Sequence, residues 1–596
     1  MQAAYHYLRL LDRFPQRDRE VTLEELSAVL SCSVRNVRLI VKQLAGLGWV
    51  EWKPGKGRGH YSKITLLAEL SAVVSSALKE REGARGFSSA IGLLGSLPLD
   101  SGLRTELAEL LGRRLVPDLR SRSEAGGRSD SLVLPFYREL PNLDPLYASR
   151  RTELHMAGQL YDNLVRWDGE RRTFLPALAI HWEREGTEWR FILRKGVKFH
   201  DKREFTSADA RYTIQQAAPM ANWAGIIGAE APDPNVLVVR TETPCHVLLH
   251  LLASPQASVV PDGSRESGSK PPIGTGPFKL ARNDSEVLVM EAFEDYYRER
   301  AQLDSVEIWI LKELIANRIG DDSLEGQPIL YEHPFQIHGK RQAVRKGSEI
   351  VEGGSTVLCM NGSGGRLLGR ADRRRLLARA IDPGKCVEEL GGSRIGASRS
   401  FFPEWSKDAR GIGNFGCDRA EGEASSEEWT KPLLLLTHPV LNHSLERTAG
   451  WIRKECAASG IPVEVRVVPD ERWDDFAGLA AEADLLLFNA VTTTNREADL
   501  LRLLFDSRIG LTPFFDADTK AILAKLGRDL SGEPDPDARM GHLRRMEEVL
   551  EANASLLHLY HLKQTAFYHP KLLGTDRYNP YGWIDFRELA LKPELS

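Results

Sequence analysis

The sequence predicts an α/β protein in two main parts, a small N-terminal helical domain and a large module of alternating strands and helices. Residues 1–70 hold a dense helical pattern followed by short strand patterns that glycines interrupt. Residues 131–596 alternate short strand-like runs with helices, which is typical of an α/β protein. A chain of 596 residues is too long for one hydrophobic core, so we expect about two to four folding units.

The composition is that of a globular protein, with 42% hydrophobic and 27% charged residues. The net charge of -4 excludes a uniformly basic DNA-coating protein, although it leaves room for a basic patch on one domain. No stretch approaches the roughly 18 apolar residues that cross a bilayer, and the N-terminus lacks the pattern of a signal peptide. We therefore predict a cytoplasmic protein that does not insert into a membrane.

Reactive and metal-binding patterns are missing from the sequence. The cysteines are scattered without a closely spaced pair, which argues against a metal site. No nucleophile–base set emerges, and Asn361–Gly365 lacks the spacing and the lysine of a phosphate-binding loop. We predict no enzymatic activity, no catalytic residues, no cofactor and no metal.

Residues 1–47 contain three predicted helices. Apolar residues recur at helical spacing from Tyr5 to Phe14, which indicates an amphipathic helix. Thr22 is placed to cap a second helix, with Glu25 as its capping-box partner. Ser31–Ser33 predicts a tight turn, and a third helix follows over about residues 34–47.

A hairpin with a basic tip is predicted after the third helix. Residues 49–52 alternate like a strand, residues 54–60 form a glycine-rich basic loop, and residues 61–67 return as a second strand. The order helix, helix, turn, helix and basic hairpin is that of a winged helix-turn-helix. The third helix of such a domain lies in a DNA major groove.

The polar side of the third helix carries the predicted DNA contacts. Arginine pairs with guanine and asparagine with adenine, whereas Lys42 suits a phosphate. Residues 1–70 hold 11 Lys/Arg against 7 Asp/Glu, a local excess of +4. An alternative is a protein-contact domain with a solvated charged face. The predicted contacts on helix and wing are Ser33, Arg35, Asn36, Arg38, Lys42, Lys56, Arg58 and His60.

Residues 71–130 are predicted as a connector between the two parts. Parts of this segment have an amphipathic helical pattern. The segment ends in Arg120–Asp130, a stretch rich in Ser, Arg and Gly that is typical of a flexible linker.

The large module carries five motifs in a fixed order. By these motifs it resembles the family 5 extracytoplasmic solute-binding proteins, the binding components of peptide, nickel and related importers. The resemblance runs from about Leu132 to Phe586. The motifs are Gln159–Asp168, Leu175–Glu183, Trp189–Asp201 with Phe205–Asp209, Gly274–Phe278, and Ala380–Pro383.

The resemblance implies a two-lobed, periplasmic-binding-protein-like type II module. Lobe I would comprise about 131–355 and 560–596, and lobe II about 356–559. The crossings between lobes would be Ser355–Asn361 and Leu557–Thr565. A ligand would lie between the lobes, and lobe closure would be a hinge motion.

The resemblance says less about the ligand. Oligopeptide binders of this family carry an acidic residue shortly after a tryptophan, which holds the peptide ammonium group. The matching stretch Leu487–Thr494 has Asn and Thr in those places, which argues against a simple peptide. The candidate cleft residues are Trp223, Asn361, Trp405 and Asn489, with ordinary packing or loop capping as the alternative for each.

Taken together, the two parts resemble the SgrR-type transcriptional regulators. Leu30–Ser33, Gly48–Trp49 and Gly57–Gly59 carry the N-terminal resemblance. It implies a regulator that binds double-stranded operator DNA and senses a small cytoplasmic ligand such as a sugar, sugar phosphate or peptide. The alternative is a transport-associated solute-binding protein whose N-terminal domain docks a partner protein. The oligomeric state stays open.

Overall fold

A computed structural model describes most of the chain. The described residues are 2–55, 61–79, 103, 106, 118–124, 127–136, 138–265, 272–310, 347–408, 429, 431–439, 444–469, 472–567, 572–575, 578–579 and 581–592.

The N-terminal domain has the element order and strand pairing of a winged helix-turn-helix. Its three strands form an antiparallel sheet in the order β1-β3-β2. Strand β1 was not predicted, because it is only four residues long and three of them are exposed and polar. The elements are α1 (Gln2–Arg13), β1 (Asp18–Val21), α2 (Leu23–Leu30), α3 (Val34–Gly46), β2 (Val50–Lys53), β3 (Ser62–Leu66) and α4 (Leu70–Lys79).

Side-chain caps define the turn between α2 and α3. The Thr22 hydroxyl accepts a hydrogen bond from the Glu25 amide at 3.0 Å, which confirms the predicted N-cap of α2. Ser31 ends α2 in the left-handed region with φ 50°. The Ser33 hydroxyl then accepts from the Asn36 amide at 3.4 Å and caps α3. These local bonds fix where the exposed helix begins.

Helix α4 belongs to the N-terminal domain, so the predicted boundary at residue 70 is too early. Leu70, Val73, Val74 and Ala77 are buried in the same core as α1 to α3. The domain therefore extends at least to Lys79, the last residue of α4. The hairpin ends the winged-helix pattern, but the apolar face of α4 still covers part of the domain core.

The predicted linker Arg120–Asp130 is wrong. Strand β4 (Asp118–Glu124) pairs antiparallel with β5 (Gly127–Phe136). It lies at the edge of a five-stranded sheet in the order β12 (Phe278–Asn283), β13 (Val287–Ala292), β14 (Ser305–Ile310), β5 and β4. Polar and charged sequences are common on edge strands because one side of the strand lacks a neighbour. A polar composition therefore did not distinguish this strand from a linker.

Lobe I holds the five-stranded sheet, a four-stranded sheet in the order β10-β11-β9-β8 and the two-stranded ribbon β6-β7. Gly274 lies against the C-terminal end of the helix Arg151–Leu160 (α5), where an added Cβ would be 2.0 Å from the Leu160 carbonyl oxygen. The remaining elements are α5 (Arg151–Leu160), β6 (Val165–Asp168), β7 (Thr173–Pro176), β8 (Ala179–Glu185), β9 (Glu188–Leu193), α6 (Ser207–Ala217), β10 (Ile226–Asp233), β11 (Val236–Thr241), α7 (Leu248–Leu252), β12 (Phe278–Asn283), β13 (Val287–Ala292) and β14 (Ser305–Ile310).

Lobe II is built on a seven-stranded sheet in the order β15-β21-β16-β20-β18-β19, with β17 also paired to β21. The strands are β15 (Gly347–Val351), β16 (Gly354–Met360), β17 (Arg394–Ala397), β18 (Leu433–Thr437), β19 (Val463–Val467), β20 (Leu485–Val491) and β21 (Leu556–Phe567). The helices are α8 (Ala371–Arg379), α9 (Pro383–Leu390), α10 (Pro403–Asp408), α11 (Ser444–Ala458), α12 (Phe476–Glu482), α13 (Arg496–Phe505), α14 (Ala517–Gly532) and α15 (Pro536–Ala552).

The predicted lobe crossings at Ser355–Asn361 and Leu557–Thr565 coincide with strands β16 and β21 of the lobe II sheet. All seven residues of β16 are buried, and β16 pairs with β20 on one side and β21 on the other. β16 is therefore an interior strand of lobe II, and the positions of the crossings stay a prediction. The chain has joined the lobe II sheet by Gly347 and stays in it through Phe567, after which β22 (Leu572–Leu573) and β23 (Ala590–Leu591) return to lobe I.

Candidate functional site

Helix α3 presents a basic face to solvent. Arg35, Asn36, Arg38 and Lys42 are all exposed, whereas the apolar stripe of the helix packs into the domain core. The helix contains no acidic residue. Within the described part of the chain, its three cationic side chains have no ion-pair partner. An exposed helix with this charge and size fits the major groove of B-DNA.

Two details of this face were not evident from the sequence. Leu39 is 61% exposed in the middle of the basic side chains, where an apolar group can contact the methyl group of thymine. Ser33 is exposed, but its hydroxyl is already used as the N-cap of α3. The predicted wing contacts Lys56, Arg58 and His60 lie outside the described residues.

A cavity of about 250 Å³ lies between the two lobes, where the sequence predicts the ligand. Lobe I contributes residues from 146 to 256, lobe II contributes residues from 491 to 506, and Tyr581 comes from the returning C-terminal segment. Part of the wall is apolar. The apolar lining residues include Leu146, Leu154, Ala217, Met220, Ala221, Leu251, Ala253 and Ala498.

Four charged side chains line this cavity, two from arginine and two from aspartate. They are Arg166 on β6, Asp499 and Arg502 on α13, and Asp506 just after α13. The Asp506 carboxylate accepts hydrogen bonds from the amides of Arg508 and Ile509 at 2.9 and 3.2 Å, so it caps the following loop. Asp506 therefore stabilises the loop that follows α13.

Asp499 is a buried carboxylate, 8% exposed, held by the loop that precedes its helix. It accepts hydrogen bonds from the Thr493 amide and, at 2.8 Å, from the Thr493 hydroxyl. Burial raises the pKa of Asp499 from 3.8 to about 6, while Arg502 and the Thr493 bonds oppose the shift. Thr493 belongs to Leu487–Thr494, the stretch where a peptide binder of this family is expected to carry an acid, whereas the acid bound to Thr493 lies one turn into α13.

We expect Asp499 to make stability pH-dependent. Between pH 4 and 6 the folded protein keeps a proton that the unfolded chain has lost, so the free energy of unfolding falls as pH rises and stays low above pH 6. Asp499→Asn removes this dependence. Relative to that variant, the free energy of unfolding of the wild type should decrease by on the order of 1–3 kcal/mol between pH 4 and pH 7.

Urea unfolding at both pH values measures this difference. Asp518→Asn, which changes an exposed carboxylate in the first turn of α14, is the control and should follow the wild type. The raised pKa of Asp499 would be contradicted if the free energies of unfolding of the wild type and Asp499→Asn differed by the same amount at both pH values.

Direct hydrogen bonds join the lobes beside the cavity. His250 and Asn495 form a reciprocal pair: the Asn495 side-chain amide donates to the His250 carbonyl at 2.9 Å, and the His250 Nδ1 lies 2.7 Å from the Asn495 side-chain oxygen. The Trp167 indole donates to the Thr494 carbonyl at 3.0 Å. These contacts describe a closed arrangement of the lobes around the cavity.

Gly169 also controls how closely the lobes approach. A Cβ at this position would lie 2.2 Å from the Thr494 Oγ1 and 2.3 Å from its Cβ. Gly169→Ala should therefore favour a more open arrangement and a larger radius of gyration in small-angle scattering. Gly158→Ala is the matched control, because an added Cβ there meets nothing within 4 Å. Identical scattering from both variants and the wild type would contradict this role.

The predicted cleft residues lie elsewhere in lobe II or outside the described part. Asn361 is fully buried and its side-chain amide donates to the carbonyls of Ala480 and Ala483. Asn489 accepts from the Thr356 hydroxyl on the neighbouring strand. Neither residue lines the cavity.

Trp405 is 8% exposed and packs against the core of the large module. Arg544 lies over its ring at 4.8 Å from the centroid, and the residue is absent from the cavity lining. The Trp223 side chain lies outside the described residues. The roles of these residues in ligand binding stay predictions.

Comparison with known proteins assigns the class. Residues 173–510 match the family described as "Bacterial extracellular solute-binding proteins, family 5 Middle", so the chain belongs to this family. Residues 2–115 match a second family, "Sugar transport-related sRNA regulator N-term". The combination confirms the fusion that the sequence motifs predict.

Particular relatives match over part of their length. The "HTH-type transcriptional regulator SgrR" of Yersinia enterocolitica is 33% identical over 311 residues, which covers 52% of this chain and 54% of that protein. The protein of the same name from Escherichia coli is 31% identical over 328 residues, covering 54% of this chain and 56% of that protein. The chain thus spans about half the length of the curated relatives it matches.

Solved structures share the fold of the large module. The periplasmic binding protein DppA of Helicobacter pylori, in complex with a peptide, aligns with a TM-score of 0.63 at 17% identity, covering 78% of this chain and 98% of that one. The murein tripeptide binding protein MppA of Escherichia coli aligns with a TM-score of 0.60 at 20% identity, covering 78% and 98%. Among the helices that the structure describes, none combines the length and apolar character that a membrane crossing requires.

Proposed function

We propose that the chain is a DNA-binding transcriptional regulator of the cytoplasm, whose two-lobed module senses a small ligand. The exposed, acid-free basic face of α3 in a winged helix-turn-helix is the observation that carries this proposal. The similarity to proteins named as transcriptional regulators supports it. Regulators and solute-binding proteins among the relatives also support a non-enzymatic role.

The ligand module contacts the DNA-binding domain through strand β14. Val306, Ile308 and Ile310 of this strand are buried in the core of lobe I. Trp309 points to the other face of the sheet and packs against the core of the N-terminal domain. A change in lobe I can therefore reach the winged helix directly through one side chain, in addition to any route through the connector residues 71–130.

Ligand control requires different affinity for two arrangements of the chain. The cavity is lined by both lobes, so a ligand bound there contacts both only when the lobes are closed. Closure would shift lobe I and, through Trp309, the position of α3. The proposal thus links a filled cavity to altered DNA binding.

Selection from a randomised pool of double-stranded DNA tests the first half of the proposal. The full chain should enrich a discrete sequence motif, and affinity for the selected duplex should fall steeply with salt because cationic side chains contact phosphates. Failure to enrich any motif, together with salt-independent retention, would overturn the regulator proposal and favour a transport-associated binding protein with a protein-docking domain.

A thermal-shift screen tests the second half. Cytoplasmic sugars, sugar phosphates, short peptides and metal chelates form the test set. A compound that binds the folded state alone raises stability by RT ln(1 + [L]/Kd), so the sensed class should raise the melting temperature. A flat response across all four classes would contradict ligand sensing.

A further inference from the structure

We infer that the cavity between the lobes binds an anionic group, held by Arg166 from lobe I and Arg502 from lobe II. The inference rests on the proposed function, in which this cavity is the sensor site. It adds the chemical class of the ligand, a small organic molecule that carries a phosphate or a carboxylate.

Arg166 is a half-buried cation in the cavity wall. Its Nε atom is fully buried and makes no hydrogen bond, and no ion pair to its guanidinium is found among the described residues. Burial lowers the pKa of Arg166, and the cations Arg298 and Arg587 lower it further. Asp162, which faces the same group of arginines, is buried and accepts from the Tyr296 hydroxyl at 3.3 Å.

Arg502 faces the same cavity from helix α13. Its guanidinium forms no ion pair or side-chain hydrogen bond in the part of the chain that the structure describes. Asp499, one turn earlier, attracts it but lies beyond ion-pair distance and is bound by Thr493. Asp506 is engaged with the amides of the following loop. Neither cavity carboxylate therefore neutralises Arg502 by direct contact.

Two arginines without oxygen partners are costly around a partly buried space, because a guanidinium loses hydration there and gains no hydrogen bond in return. A tetrahedral phosphate or a planar carboxylate presents pairs of oxygens that can accept two hydrogen bonds from one guanidinium group. Since Arg166 and Arg502 come from opposite lobes, one anion bound by both would also favour lobe closure.

The rest of the lining indicates an organic carrier for the anion. Leu146, Leu154, Met220 and Leu251 provide an apolar wall in the same cavity. Burial of an apolar group against such a wall contributes affinity in addition to the charged contacts. We therefore expect an ester or acid with a small apolar or mixed body.

Calorimetric titration of the full chain tests the inference with three probes of similar size. Phenyl phosphate and phenylacetate carry the two anionic groups, and benzyl alcohol is the neutral control. We expect at least one anion to bind and benzyl alcohol not to bind at constant ionic strength. The stronger of the two anions distinguishes a phosphate ligand from a carboxylate ligand.

Variants assign the binding to the two arginines. Arg166→Gln and Arg502→Gln should each lower the affinity for the anion by about tenfold or more, because each removes charge-assisted hydrogen bonds. Arg190→Gln on strand β9 changes an exposed arginine outside the cavity and should bind as the wild type does. Without the anion, the two cavity variants should melt at or above the wild-type temperature, since an unpaired buried charge is removed.

The inference is overturned if neither anion binds at millimolar concentration, if benzyl alcohol binds as well as the anions, or if both cavity variants retain wild-type affinity. It is also overturned if both variants lose stability without the anion, because the arginines would then be structural. Failure of the proposed function is a separate result, seen when the same wild-type preparation selects no DNA.

Discussion

Replacement of Arg35 and Arg38 together by alanine should lower the affinity of the chain for its selected DNA duplex by about a hundredfold or more. A bidentate arginine–guanine pair contributes about 1–3 kcal/mol of discrimination, and about 1.4 kcal/mol corresponds to a tenfold change in affinity. Both side chains are exposed on α3 and make no ion pair among the described residues, so they are available for DNA. Fluorescence anisotropy at a fixed salt concentration measures the effect.

The matched control for this variant is Arg13→Ala, which removes an exposed arginine at the end of α1. It should bind DNA within about threefold of the wild type, because it lies off the α3 face. Thermal melting of both variants should match the wild type, since the altered side chains are exposed. Wild-type DNA affinity in the Arg35→Ala, Arg38→Ala variant would contradict the assignment of α3 as the recognition helix.

Trp309→Ala is expected to abolish the effect of ligand on DNA binding. Allosteric coupling factors are typically about 5- to 150-fold, and the factor should fall to near one when the Trp309 contact between lobe I and the winged helix is lost. Trp309 packs against the N-terminal core from a strand whose other face is buried in lobe I. Anisotropy titrations with and without a stabilising compound measure the factor.

A second tryptophan variant separates coupling from general damage. Trp182→Ala on strand β8 also shortens a partly buried tryptophan of lobe I, but that residue packs against the core of the large module. It should keep the wild-type coupling factor. Ligand binding itself should persist in Trp309→Ala. A Trp309→Ala variant that retains full coupling would show that the signal passes through residues 71–130.

The sequence predicts the N-terminal domain well because its determinants are local. The Thr22 cap and the apolar spacing of the helices lie within a few residues of the bonds they form. Strand β1 and edge strand β4 escaped prediction, because short runs of polar and charged residues resemble loops. Pairing identifies them as strands, β1 with the distant β3 and β4 with the adjacent β5.

The cavity could not be assembled from the sequence. Arg166 lies in the motif Gln159–Asp168, which the sequence links to the family but not to the ligand, and Arg502 lies in an ordinary amphipathic helix far along the chain. Asn361 and Asn489 were expected in the cleft, yet their side chains are used in buried hydrogen bonds within lobe II. Convergence of side chains from two lobes is a property of the tertiary fold, and no local spacing encodes it.

The central claim is that occupation of the cavity changes DNA binding. It is tested most directly by the affinity of the full chain for its selected duplex, measured across a salt series with and without a saturating amount of the compound that most stabilises the chain. We predict a change of about fivefold or more in affinity at constant ionic strength. Identical affinity and identical salt dependence under saturation would contradict the claim.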